Sequence, residues 1–96
     1  MLKKIDLKNK IALITGAGKG LGKACAESLA MEGVEIFING IQEENLKKTE
    51  KEFLNKGYKV TAILGAMEDS TTREALLKAI AAGTYTFEDL IISLSR

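Results

Sequence analysis

Histidine, proline and tryptophan are all absent from this 96-residue sequence, and cysteine occurs once. Without histidine there is no Ser-His or Cys-His nucleophile pair, and the commonest metal ligand is missing too. A single cysteine, Cys25, excludes an internal disulfide and a cysteine-rich metal centre. Cys25 falls among small residues at helical spacing and reads as core, since a reactive thiol needs exposure and a neighbouring cation. The lack of proline suits a compact succession of strands and helices without a stiff linker. Apolar runs reach only about four residues, far short of the ~20 of a membrane helix. Met1-Leu2-Lys3-Lys4 resembles the start of a signal peptide, but no apolar stretch follows it, so a cytoplasmic location is the default. Fourteen basic residues stand against thirteen acidic ones, which gives no electrostatic case for nucleic acid or an anionic membrane surface. The length allows one domain, residues 1–96.

What is present is an ordered alternation of strand and helix patterns. Residues 2–9 are polar and lysine-rich, with Leu7 as a hydrophobic pin and Asn9 as a turn residue that tolerates positive φ. Residues 10–15 are apolar on both faces, which predicts a central parallel strand. A helix is expected over 20–32, with Leu21, Ala24, Cys25, Ser28 and Leu29 on its inner face and Gly33 as its stop. The second strand is expected over 34–39, burying Ile36, Phe37 and Ile38. The second helix spans 42–56, with Leu46, Phe53 and Leu54 pointing inward and Gly57 as its cap. Its pairs Glu43–Lys47, Glu44–Lys48 and Glu52–Lys56 have the favourable i,i+4 order, and its charge run reads as a solvated face.

Residues 59–64 predict a third strand, and 65–69 a loop. Ser70 or Thr71 is placed to cap a third helix, with Glu74 in its first turn, Leu76, Leu77 and Ile80 inward, and its end at Ala82-Gly83. Residues 89–94 read as a fourth strand. Three strand–helix units and a further strand predict an α/β fold with a parallel sheet. Right-handed crossovers place the first two helices on one face. With the fourth strand returning beside the first, the order is 3-2-1-4 and the third helix lies on the other face. That is a partial Rossmann, or doubly wound, fold whose switch point lies between strands one and four.

The chemistry is concentrated in residues 10–22, KIALITGAGKGLG, where a buried strand runs into Gly16, Gly18, Gly20 and Gly22 and then into a helical pattern. A strand that breaks into a glycine loop and restarts as a helix presents helix N-terminal amides to a phosphate. A loop that merely turns the chain is the simpler alternative, but four glycines cost backbone entropy that a plain turn does not demand. The P-loop pattern fails twice: Ala17 stands five residues before Gly22-Lys23, and Ala24 replaces the Mg²⁺-binding hydroxyl. The spacing G-x-G-x-x-G fails as well, because Leu21 occupies its third glycine.

The spacing that fits is T-G-x-x-x-G-x-G, from Thr15, Gly16, Gly20 and Gly22. This resembles the short-chain dehydrogenase/reductase family. So do the lead-in Asp6-Leu7-Lys8-Asn9-Lys10, similar to D-L-x-G-K, the turn Glu32-Gly33-Val34, similar to E-G-A, and Asp89-Leu90-Ile91-Ile92, similar to D-I-L-V. The resemblance covers the chain to about residue 92 and implies an NAD(P)-binding site. In it Gly16 makes the tight turn, Gly20 lets backbone approach the pyrophosphate, and Gly22 permits close helix–strand packing. Leu21 offers its amide to a phosphate oxygen with its side chain pointing inward. Asn39 and Gly40 stand where the family selects its cofactor by the group facing the ribose. No acid occupies that place, Ile41 follows instead of a basic residue, and Lys19 lies in the loop, so NADP is implied over NAD. An ordinary solvated role for Lys19 is the alternative.

The resemblance also has gaps. Ala66 falls where the family has an aspartate near the adenine, with Glu68 and Asp69 close by. Ser93-Leu94-Ser95-Arg96 replaces the family's N-N-A-G. The catalytic serine and the Tyr-x-x-x-Lys pair have no counterpart, because Tyr58 is followed four residues later by Ala62 and Tyr85 by Asp89. No catalytic or metal residues are therefore assigned. The expectation is the cofactor-binding half of an oxidoreductase, truncated and inactive alone. One face of its sheet would lack cover, and strand 89–94 would be an edge open to self-association. A non-catalytic nucleotide-binding or interaction module, or one half of a split oxidoreductase, are the alternatives.

Overall fold

The computed structural model describes residues 10–18 and 20–82, and the backbone of 90–93. Leu7, Asn9, Lys19 and the ends of the expected strand 89–94 lie outside the described residues. The elements follow in the order β1 (Ile11–Thr15), α1 (Gly20–Met31), β2 (Glu35–Gly40), α2 (Glu43–Asn55), β3 (Val60–Leu64), α3 (Ser70–Ala81) and β4 (Leu90–Ser93). The strands form one parallel sheet in the order β3-β2-β1-β4, as their alternation with helices predicts. Boundaries differ from the sequence reading by one or two residues, most visibly at β2, which runs one residue further, to Gly40.

Side chains of β1 alternate between two cores. Ala12 and Ile14 join Ile36, Ile38, Ala26, Ala30, Leu46 and Phe53 beneath α1 and α2. Ile11 and Leu13 join Phe37, Ile63, Leu76 and Ile80 beneath α3. Helices one and two therefore share a face and α3 lies on the other, as expected. Phe53 is the largest helix-borne contribution to the first core, worth about 1.5–3 kcal/mol for full burial, and its ring meets Tyr58 edge-on at 5.7 Å. The second face is not bare: Ile11, Leu13 and Phe37 are all buried in that cluster. The expectation of an uncovered face fails over β1 and β2, because the crossover through α3 brings Leu76 and Ile80 onto that side.

The inner face of α1 is rotated from expectation, whereas α2 and α3 bury Leu46, Phe53, Leu76 and Ile80 as expected and each leave out one expected leucine. Helix α1 buries Gly22, Ala26 and Ala30, not Leu21, Ala24 and Ser28. Residues four apart stack on one face, and here the stripe is the one with the smallest side chains, so the helix packs close to the sheet. Leu21 stands 81% exposed, and Cys25 is half-buried rather than core. Helix α2 buries Leu46, Thr49 and Phe53, leaving Leu54 53% exposed. Helix α3 buries Thr72, Leu76 and Ile80, leaving Leu77 51% exposed. Asp69, not Ser70 or Thr71, occupies its N-cap position, without a side-chain cap bond, and Glu74 falls beyond the first turn.

The charges of α2 also do more than face water. Lys23 of α1 donates to Glu52 at 3.1 Å, and Lys56 donates to Glu27 of α1 at 2.6 Å, so the two helices are joined by crossed ion pairs. The bond from Lys23 holds the Glu52 carboxyl below its usual range, and the Glu27 carboxylate holds the Lys56 ammonium above its own. Glu50 accepts the backbone N–H of Ala62 at 2.9 Å. That covers a donor on β3, an outer strand of the sheet, where free N–H groups invite pairing with other chains. The i,i+4 pair Glu43–Lys47 forms at 3.0 Å.

Candidate functional site

At the carboxyl ends of β1, β2 and β3 the sheet opens into a cleft of about 320 Å³. Each strand contributes the residues at or just past its end: Thr15 and Gly16 from β1, Asn39, Gly40 and Ile41 from β2, and Ala66, Met67 and Glu68 after β3. A parallel sheet puts these ends together because every crossover returns the chain to the amino end of the sheet before the next strand starts. The cleft extends from the glycine loop toward β3, away from the switch point where β1 pairs with β4.

The glycine wall is made by backbone. Gly16 and Gly20 have φ of 65° and 64°, the left-handed region that costs other L-residues roughly 1–2 kcal/mol. A Cβ on Gly20 would meet nothing within 4 Å, so its glycine serves conformation and leaves open space at the start of α1. Gly22 serves proximity. A Cβ there would run into the carbonyl of Gly16, whose carbon would lie 2.9 Å away, so only glycine lets α1 lie against the turn leaving β1. Behind the turn, Ala17 donates its N–H to the Asn39 carbonyl at 3.1 Å. The Thr49 hydroxyl donates to the Gly18 carbonyl at 3.0 Å.

The opposite wall, residues 65–69, is held by side chains. The amide of Asn39 donates to the carbonyls of Ile63 and Gly65, both at 2.9 Å. Arg73 donates to the carbonyls of Met67 and Glu68, both at 2.8 Å. Gly65 also donates its N–H to the Gly40 carbonyl at 2.9 Å.

Of the residues the sequence singled out, Gly16, Asn39 and Gly40 line this cleft, while Gly22 packs against the Gly16 carbonyl and Gly20 opens α1 without lining it. Leu21 has its amide at the second position of α1, but its side chain points outward, the reverse of expectation. The Asn39 side chain is spent on β3 and its loop and is only 4% exposed, so it shapes the wall instead of facing a ligand. Thr49 and Arg73 were not legible as contributors. The spacing of Leu46, Thr49 and Phe53 carried a signal for Thr49, since a polar residue on a buried helix stripe must find a partner. Nothing comparable marked Arg73. Among the described residues, no cluster of three or more Cys, Asp or Glu could hold a metal, and no helix is long and apolar enough to cross a membrane.

A parallel sheet with helices on both faces, a glycine loop after its first strand and a cleft at its carboxyl ends defines the dinucleotide-binding half of a doubly wound fold. The model of the short chain dehydrogenase family matches residues 10–93, and the chain belongs to that family. It is 43% identical over 70 residues to a diacetyl reductase, (S)-acetoin forming, of Staphylococcus epidermidis, covering 73% of this chain and 27% of that protein. It is 37% identical over 72 residues to the (2S)-[(R)-hydroxy(phenyl)methyl]succinyl-CoA dehydrogenase subunit BbsD of Thauera aromatica, covering 75% of this chain and 28% of that one. Among solved structures, L-sorbose reductase from Gluconobacter frateurii, complexed with NADPH and L-sorbose, superposes with a TM-score of 0.73 at 25% identity, over 83% of this chain and 32% of that one. A short chain dehydrogenase/reductase from Burkholderia phymatum in complex with NAD gives 0.72 at 29% identity, over 79% and 27%. The 96 residues thus span less than a third of the curated relatives' length.

Proposed function

We propose that these 96 residues are the NAD(P)-binding portion of a short-chain dehydrogenase/reductase-type oxidoreductase. The carrying observation is the glycine wall: two left-handed glycines and one close approach, at the spacing T-G-x-x-x-G-x-G, beside a cleft at the strand ends. Relatives complexed with NADPH and with NAD support a nicotinamide dinucleotide. Gly16 and Gly20 shape the loop, and the Leu21 amide, at the positive end of α1, donates to a phosphate oxygen. Gly22 sets how closely α1 approaches. Gly40 faces the ribose, and Asn39 acts there through the loop that it holds. Lys19 attracts a 2′-phosphate, so NADP is favoured over NAD. Bound there, the dinucleotide would supply the hydride of a carbonyl reduction.

No Tyr-x-x-x-Lys pair stands in these residues, so the chain by itself binds without proton transfer to a carbonyl. We place it in the cytoplasm, with self-association through strand 89–94. Calorimetric titration of the purified chain is the test. The reading expects saturable NADPH binding, tighter than NADH, with no loss of NADPH absorbance when diacetyl is added. A folded chain that binds neither nucleotide would overturn it. Turnover would overturn the inactivity alone.

A further inference from the structure

Helix α2 lies behind the glycine loop, and three of its contacts make a seat for it. The Thr49 hydroxyl donates to the Gly18 carbonyl at 3.0 Å, and Thr49 is itself only 1% exposed. A Cβ on Gly18 would stand 3.3 Å from the Asn45 Cβ and 3.6 Å from the Leu46 nitrogen, so the loop lies directly on the first turns of the helix. The helix is fixed in its turn to α1, which the loop opens into, by the pairs Lys23–Glu52 and Lys56–Glu27. Loop, α1 and α2 form a closed circuit, and the Thr49 hydroxyl ties the loop segment down at the Gly18 carbonyl.

From this we infer that Thr49 is a positioning residue for the phosphate-facing loop. The inference rests on the dinucleotide reading above. A peptide unit is planar, so fixing the Gly18 carbonyl against α2 fixes the orientation of its whole unit, in a segment whose glycines leave the backbone otherwise loosely restrained. The glycines make the ligand-facing conformation accessible; the threonine selects it. Helix α2 thereby contributes to phosphate binding without any of its own atoms facing the cleft.

The test compares the unaltered chain, Thr49→Val and Thr49→Ser by titration with NADPH and, separately, with adenosine, which carries no phosphate. Thr49→Val keeps the shape and removes the donor. It is expected to weaken NADPH binding by roughly tenfold, the worth of one hydrogen bond in a partly buried place, and to leave adenosine binding unchanged. Thr49→Ser, which keeps the hydroxyl, is expected to retain NADPH affinity. Equal NADPH affinity in Thr49→Val and the unaltered chain overturns the inference. So does a parallel loss for NADPH and adenosine, which would report general damage, or a loss in Thr49→Ser as large as in Thr49→Val. If Thr49→Val loses its circular dichroism, Thr49→Ala takes its place under the same criteria. Failure of the dinucleotide reading is distinct, because it appears in the unaltered chain as no binding of NADPH, and it removes the inference with it.

Discussion

The two walls of the cleft reach the same end by largely different means, although the second also begins at a glycine of positive φ, Gly65 at 130°. The glycine wall is shaped by missing side chains: positive φ at Gly16 and Gly20, and contact between Gly22 and the Gly16 carbonyl. The wall at 65–69 is shaped by side chains reaching back, from Asn39 on one flank and Arg73 on the other, to four backbone carbonyls. A backbone-made wall tolerates almost no substitution where glycine is required. A side-chain-made wall depends on a donor in the right place, and different residues could supply one.

The largest effect should come from Gly22→Ala. The atoms a new Cβ would strike belong to backbone, so relief requires α1 to shift, at a cost of roughly 3 kcal/mol, the upper part of the overpacking range. Thermal unfolding should show it, at about 4–8 °C of midpoint per kcal/mol in a domain of this size. A midpoint within error of the parent would mean that the helix is not held against the turn. Asn39→Ala comes next. It leaves two carbonyls without their donor, at about 1–3 kcal/mol. Its backbone carbonyl still accepts from Ala17, so amide exchange should quicken at 65–69 and stay unchanged at Ala17 and Gly18. Acceleration of both walls together would erase the distinction between them. The smallest effect is expected of Arg73→Ala, whose bonds are exposed and compete with water. A loss of about 0.5–1 kcal/mol, with faster exchange confined to the same loop, would place it as the outer partner of Asn39.

The same contrast decides what could be read from the sequence. The glycine wall was legible because its requirements fall on one residue type at fixed spacing, and so were the strand order and the faces taken by the helices. The other wall was not. Asn39 was noticed for standing at the end of β2, but its use depends on where β3 ends up, 24 residues later in the chain. The misplaced leucines have a local reason. Leu21, Leu54 and Leu77 are apolar and at plausible spacing, yet each stands one residue off the stripe that meets the sheet. In α1 and α2 the sheet selects small or polar residues there, Ala26 and Thr49, over the larger leucines nearby. The ion pairs between α1 and α2 were missed for the same cause as the Asn39 bonds: local spacing pairs charges along one helix and is silent about the next.

The registers of the sheet bear on the order in which it assembles. Ile11 meets Glu35, 24 residues along, and Ile36 meets Val60 at the same separation, but Ile11 meets Leu90 only after 79. In an unfolded chain the longer closure costs about 1 kcal/mol more entropy than either short one. The first two crossovers can therefore form with comparable ease and complete β1, β2 and β3, together with the cleft at their ends. The pairing of β4 waits for a template already in place. Pulse labelling during refolding should find protection at 90–93 appearing last, and early protection there would contradict this order. On this ordering the cleft is finished before the sheet is.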